Sequence, residues 1–201
     1  MISICCFDFD GTLIDSNNIK KNFFRNLALS HNSPCNIEKI ISKNNYTRYD
    51  IFFEIFKHTS SHIKLDDDYM NILSDQLDKA VLNAPLLNGV LKLLKSLKTM
   101  GIKLFIVSAT PKDSLINILK KKKIYTLFDK VFGYPENKIF ALQYIKSIND
   151  KNILMIGDGL DDREAADYNK IPFLSVGEGR GAYLGEEIFS INNILDYVKN
   201  V

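Results

Sequence analysis

"CCFDFDGTLIDS", residues 5–16, decides the fold. The apolar run just before the acids, residues 2–7 ("ISICCF"), reads as a buried strand. It ends in two aspartates two positions apart, Asp8 and Asp10, followed at once by Gly11 and Thr12. Two carboxylates at one strand end repel, and a fold that keeps them together supplies a cation or gives them a reaction to perform. Period-two geometry would put both acids on one side if the strand continued. A turn at Gly11 would redirect Asp10.

Outward from this stretch the rhythm changes twice. Residues 17–83 show helical spacing and no convincing strand: Ile19, Phe23, Phe24 and Leu27, then Ile51 and Ile55, then Tyr69, Ile72, Leu73, Leu77 and Ala80. From "APLLNG" (84–89) onward, helices and strands alternate. Strands are expected at 102–107, 130–133, 152–157 and 171–176, and helices at about 90–97, 112–122, 136–148, 161–169 and 192–200. Near-continuous apolar strands separated by helices predict a parallel, Rossmann-like α/β sheet with helices on both faces. The expected division is an α/β core domain of residues 1–16 and 84–201 with an inserted all-helical cap domain of residues 17–83.

Open α/β sheets bind ligands at the carboxyl ends of their strands. The first strand delivers Asp8, Asp10, Gly11 and Thr12 to that edge, and the second delivers Ser108, Ala109 and Thr110. The third leads through "YPEN" to Lys138, and the fourth ends in "GDGLDD" with Asp158, Asp161 and Asp162. Taken singly, each has a structural reading: a turn, a cap, a surface lysine with Lys112 as a rival, or acids at a helix N-terminus. Their order and common placement favour a site. Mg²⁺ suits such a cluster because it takes hard oxygen ligands. A carboxylate can act as a nucleophile only where a cation offsets the charge.

With these four motifs the chain resembles the haloacid dehalogenase superfamily, in its phosphoglycolate phosphatase-like branch with a helical cap. The family's D-x-D-x-T is matched by Asp8, Asp10 and Thr12, its Ser or Thr by Ser108, its Lys by Lys138, and its G-D-x-x-x-D by Asp158 and Asp162. The resemblance implies an Mg²⁺-dependent phosphatase acting on a small phosphorylated metabolite. Asp8 would be the nucleophile and Asp10 the general acid–base. Asp8, Asp158 and the backbone carbonyl of Asp10 would hold the metal. Ser108, the N–H of Ala109, Gly11 and Thr12 would hold phosphate oxygens. Lys138 would offset the charge of the nucleophile, and Asp162 would orient Lys138 or a metal-bound water. Arg48, within the cap, is either a clamp for a substrate anion or a helix-surface arginine. A phosphomutase on the same scaffold is the alternative, because the motifs are common to both. Dehalogenases proper lack the second acid of the pair, and Asp10 is present here.

Bulk properties narrow the field further. The 201 residues are 46% hydrophobic and 25% charged, with a formal net charge of +2 and a pI near 8.3. That balance is too mild to suggest nucleic acid, and Lys120–Lys123 reads as a helix C-terminus, where the macrodipole favours cations. Three cysteines without framework spacing point to a reducing compartment. No apolar run approaches the roughly 18 residues of a membrane span. The expectations are therefore a cytoplasmic monomer or homodimer with no nucleic-acid or membrane partner. Asp15 and Ser16 read as caps of the first inserted helix. "GEGRGAY" (177–183) lacks the Lys-Ser/Thr ending of a P-loop and reads as a flexible loop near the site rim.

Overall fold

The computed structural model describes residues 2–43, 46–57, 59, 65–148 and 152–201. The chain forms two compact units, one of Met1–Asp15 with Pro85–Val201 and one of Ser16–Ala84.

The first unit is a parallel sheet. Its strands are β1 (Ile4–Phe7), β2 (Lys103–Pro111), β3 (Lys130–Tyr134), β4 (Ile153–Gly157) and β5 (Phe173–Ser175), in the order β3-β2-β1-β4-β5. All four ladders are parallel: Phe7 pairs with Ile106 on one side and with Ile156 on the other. Among the described residues, five α-helices accompany the sheet: α5 (Val90–Thr99), α6 (Lys112–Lys121), α7 (Lys138–Ile148), α8 (Leu160–Tyr168) and α9 (Ile191–Asn200). β1 is fully buried because both of its neighbours and both faces are covered. Along it, Ile4 and Cys6 join a core with Leu142 and Ile145 of α7 and Ala165 and Ala166 of α8. Helices α5 and α6 connect strands in one direction across the sheet and α7 and α8 in the other, so right-handed crossovers place the two pairs on opposite faces. The reversal falls between β1 and β4, and that switch point is where a ligand crevice opens.

Two strands depart most from the sequence expectation. β2 runs on to Pro111 past a register shift between Val107 and Pro111, so Ser108, Ala109 and Thr110 lie within the strand. β5 is only three residues long. α7 begins at Lys138 because Pro135, Glu136 and Asn137 are spent in the turn, where Asn137 Oδ1 accepts from Ile139 N at 2.7 Å.

The second unit holds α1 (Asn17–Ser30), α2 (Ile37–Ile41), α3 (Arg48–Phe56) and α4 (Asp67–Val81). Its core includes Phe24, Leu27, Phe52, Ile55, Leu73 and Leu77, with edge-on ring contacts between Phe24 and Phe52. Burial of each such side chain contributes about 1.5–3 kcal/mol. Thr47 and Asp50 form a reciprocal capping box that starts α3. Ser16 is the N-cap of α1 but makes no side-chain cap bond, contrary to the expected cap.

Where the chain leaves the sheet unit and where it returns, the two segments lie side by side. Ile14 and Leu86 form an antiparallel bridge, Leu87 N donates to Leu13 O at 3.0 Å, and Asp15 N donates to Pro85 O at 3.0 Å.

Candidate active site

The acids after β1 are held by a tight turn. Gly11 takes φ +75°, which an L side chain rarely adopts, and its N–H donates to Ile14 O at 2.9 Å. Phe9 is fully buried beneath the turn. Asp8 is also buried, while Asp10 is half-buried and accepts a 2.7 Å bond from Thr110 Oγ1 of β2. The sequence reading brought Thr110 to this edge but gave it no role. Its signal was the period-two spacing from Ser108.

The β4 end adds three more acids. Asp158 is buried directly after the strand. Asp162, fully buried at the start of α8, accepts from Gly159 N at 3.0 Å through Oδ2. A Cβ on Gly157 would overlap the Asp162 carboxylate, so glycine there leaves room for it. Oxygens of Asp8, Asp158 and Asp162 lie within 4.8 Å of one another. Asp162, expected only to orient its neighbours, thus belongs to the same carboxylate cluster, while the Asp10 carboxylate turns to Thr110.

Lys138 opens α7 and reaches three of these acids. Its Nζ lies 3.0 Å from Asp8 Oδ1, 2.6 Å from Asp162 Oδ1 and 2.7 Å from Asp161 Oδ2. Lys112, the rival, is instead half-exposed and paired with Glu136 at 2.9 Å. Asp161 was not anticipated as a partner, although it adjoins Asp162. Arg180, also unanticipated, places Nη2 2.7 Å from Asp158 Oδ2.

These contacts set the electrostatics. Two unit charges about 4 Å apart repel by about 4 kcal/mol at an effective dielectric of about 20. Burial pushes the Asp8 carboxyl up, Lys138 pulls it down, and Asp158, Asp161 and Asp10 push it up again, leaving it at about 7. Burial and then Asp8 raise Asp162 well above the ordinary carboxylate value. Burial alone would lower Lys138, but Asp161, Asp162 and Asp8 outweigh it and hold the ammonium charged. The acids Asp8, Asp10, Asp158, Asp161 and Asp162 face two cations, Lys138 and Arg180. A divalent cation on hard oxygen ligands fits this surplus.

Ser108 is buried, and its Oγ accepts from Thr110 N at 3.2 Å, while Ala109 is exposed. Two residues of the sequence reading lie in enclosed settings. Thr12 is fully buried, and its Oγ1 has no hydrogen-bond partner among the described residues. Its hydroxyl is thus enclosed by the turn. Arg48 is buried inside the helical unit, where Nη1 bonds Asp78 Oδ1 at 2.5 Å and Ser74 Oγ at 3.0 Å. It braces α3 against α4 and does not lie on the helix surface.

Together these features define a Rossmann-like parallel α/β scaffold with a cluster of acids at the carboxyl ends of β1 and β4. Residues 5–176 match the profile of the haloacid dehalogenase-like hydrolases, and the chain belongs to that family. A predicted phosphoglycolate phosphatase from Haemophilus somnus superposes with a TM-score of 0.76 at 19% identity, covering 98% of each chain. A predicted phosphatase from Clostridium acetobutylicum gives 0.74 at 21% identity over 100% of each chain. A β-phosphoglucomutase candidate from Thermotoga maritima gives 0.70 at 16% identity, again over 100% of each. No curated protein sequence matches the chain. Among the described residues, no helix is long and apolar enough to cross a membrane.

Proposed function

We propose that the protein is an Mg²⁺-dependent phosphatase that hydrolyses a small phosphorylated metabolite through an aspartyl-phosphate on Asp8. The observation that carries this is the meeting of Asp8, Asp158 and Asp162 within 4.8 Å, with Lys138 bonded to Asp8. Asp8, Asp158 and the Asp10 carbonyl would hold the metal, which supplies charge neutralisation for an anionic substrate beside an anionic nucleophile.

The chain's own groups account for the rest. An Asp8 oxygen attacks phosphorus, and the bond to the leaving oxygen breaks. Asp10, held by Thr110 Oγ1, gives its proton to the departing alkoxide. It then takes a proton from the water that attacks the acyl-phosphate, releasing phosphate and restoring the Asp8 carboxylate. Such help is worth about 10²- to 10⁴-fold. Lys138 keeps the nucleophile oriented and offsets charge on the transferring group. Ser108 and the Ala109 N–H receive phosphate oxygens. The helical unit, inserted directly after the acid-bearing turn, serves as the cap that excludes bulk water and reads the leaving group.

The test is phosphate release from a panel of sugar phosphates, sugar-acid phosphates, phosphoglycolate, nucleotides and phosphoserine, with Mg²⁺ and with EDTA. Release confined to one class, silenced by EDTA and restored by Mg²⁺, is expected. Isomerised sugar phosphate without net phosphate release would make the enzyme a mutase, and EDTA-resistant release would remove the metal.

A further inference from the structure

The segment between β5 and α9 is built into the site. Gly177, at φ +62°, brings the backbone so close that a Cβ there would overlap the Gly11 carbonyl and crowd Asp158 Cβ. Gly181 N donates to Asp158 O at 3.1 Å. The segment is also fastened to α8. The Arg163 guanidinium lies 4.5 Å from the Phe173 ring centre and 4.5 Å from that of Tyr183. Its Nε donates to Gly181 O at 3.0 Å, and Nη2 pairs with Glu186, which also accepts from Tyr183 N at 3.0 Å. Tyr183 OH donates to Asp167 at 2.8 Å. The expected flexible loop is therefore an anchored one, and the side chain it presents to the acids is Arg180.

Arg180 differs from Lys138 in what it has left to offer. An ammonium has three N–H donors, and Lys138 has three carboxylates within 3.0 Å. A guanidinium has five donors in a planar fork suited to phosphate oxygens. Arg180 places Nη2 on Asp158 and keeps its Nε 3.6 Å from Glu178, with 42% of the side chain exposed. Asp158 lies in turn within 4.8 Å of the proposed nucleophile.

We propose that Arg180 is a second cationic arm of the phosphate site, held by Asp158 through one nitrogen and giving further donors to an oxygen of the bound phosphoryl group. Arg163 is a positioning residue that acts through the loop. The proposal rests on the phosphatase reading, and binding rather than turnover separates the two.

The experiment is calorimetric titration of inorganic phosphate into the full chain at saturating Mg²⁺, repeated at doubled Mg²⁺ so that metal loading is not limiting. Loss of one charge-assisted phosphate contact predicts that Arg180→Gln weakens phosphate binding at least about tenfold. Arg180→Lys should recover part of it, because a point charge replaces a fork. Arg163→Lys should weaken binding by a smaller factor, about threefold, with the melting curve cooperative. Native phosphate affinity in Arg180→Gln would overturn the arm and leave the phosphatase reading standing. Failure of the wild-type protein to bind phosphate at all would overturn both. If Arg163→Lys does not fold, the Arg180 pair decides alone.

Discussion

Both units of this protein bury charge, and they do it in opposite ways. In the helical unit, Arg48 meets Asp78 and Ser74, and the buried charge is matched by one of opposite sign. In the sheet unit, carboxylates outnumber the cations that touch them, and burial, opposed by Lys138 and reinforced by the neighbouring acids, drives Asp8 up to about 7. A balanced pair satisfies the fold and asks for nothing else. A buried surplus of one sign costs stability unless something arrives to offset it, so the imbalance itself marks where a ligand belongs.

The strongest way to break this contrast is to remove charge from each side. Asp8→Asn takes away the proposed nucleophile and one of the repelling acids. We expect kcat to fall by at least about 10⁴-fold, while the melting temperature holds or rises. Retained turnover would sink the nucleophile role. Asp78→Ala does the reverse: it leaves the Arg48 charge buried without its carboxylate. That should cost about 2–4 kcal/mol in chemical denaturation, with KM for the preferred substrate within about twofold. A large rise in KM would return Arg48 to the substrate.

Smaller effects sharpen the picture. Thr110→Val removes the hydroxyl that holds Asp10, and kcat should fall about three- to tenfold. An unchanged kcat would show that Asp10 needs no such support. The surplus also predicts a pH dependence in EDTA-treated protein. A carboxyl whose folded pKa is raised to about 7 contributes stability that is full below about 4 and is lost as pH rises through 7. Asp162, also raised, adds to this trend, and Asp161, lowered mainly by Lys138 against its burial, acts in the opposite sense only below about 4, outside this range. The melting temperature in EDTA should therefore decline from about pH 5 to pH 8, and Asp8→Asn should flatten that slope. An equal slope in both proteins would mean that Asp8 does not carry it.

The sheet was legible in the sequence because its strands are near-continuous apolar runs and its helices alternate with them. What escaped was set by partners distant in sequence. Thr110 matters through Asp10, 100 residues away, and Arg180 through Asp158 and the Arg163 anchor, neither of which has a local pattern. "GEGRGAY" looked mobile because glycine permits disorder, yet Gly177 is there to allow close approach. Arg48 was read as an outward arginine because helical spacing does not reveal that Ser74 and Asp78 wait on another helix.

The short antiparallel ladder joining residues 13–15 to 85–87 has a consequence for how such chains diversify. The sheet unit closes its own backbone bonds at that doorway, so whatever sequence lies beyond it does not set the register of β1. Recombination could exchange the intervening segment for a longer, shorter or unrelated one and leave the chemical edge in place. Selection on substrate preference and selection on chemistry can then proceed in separate stretches of the same gene.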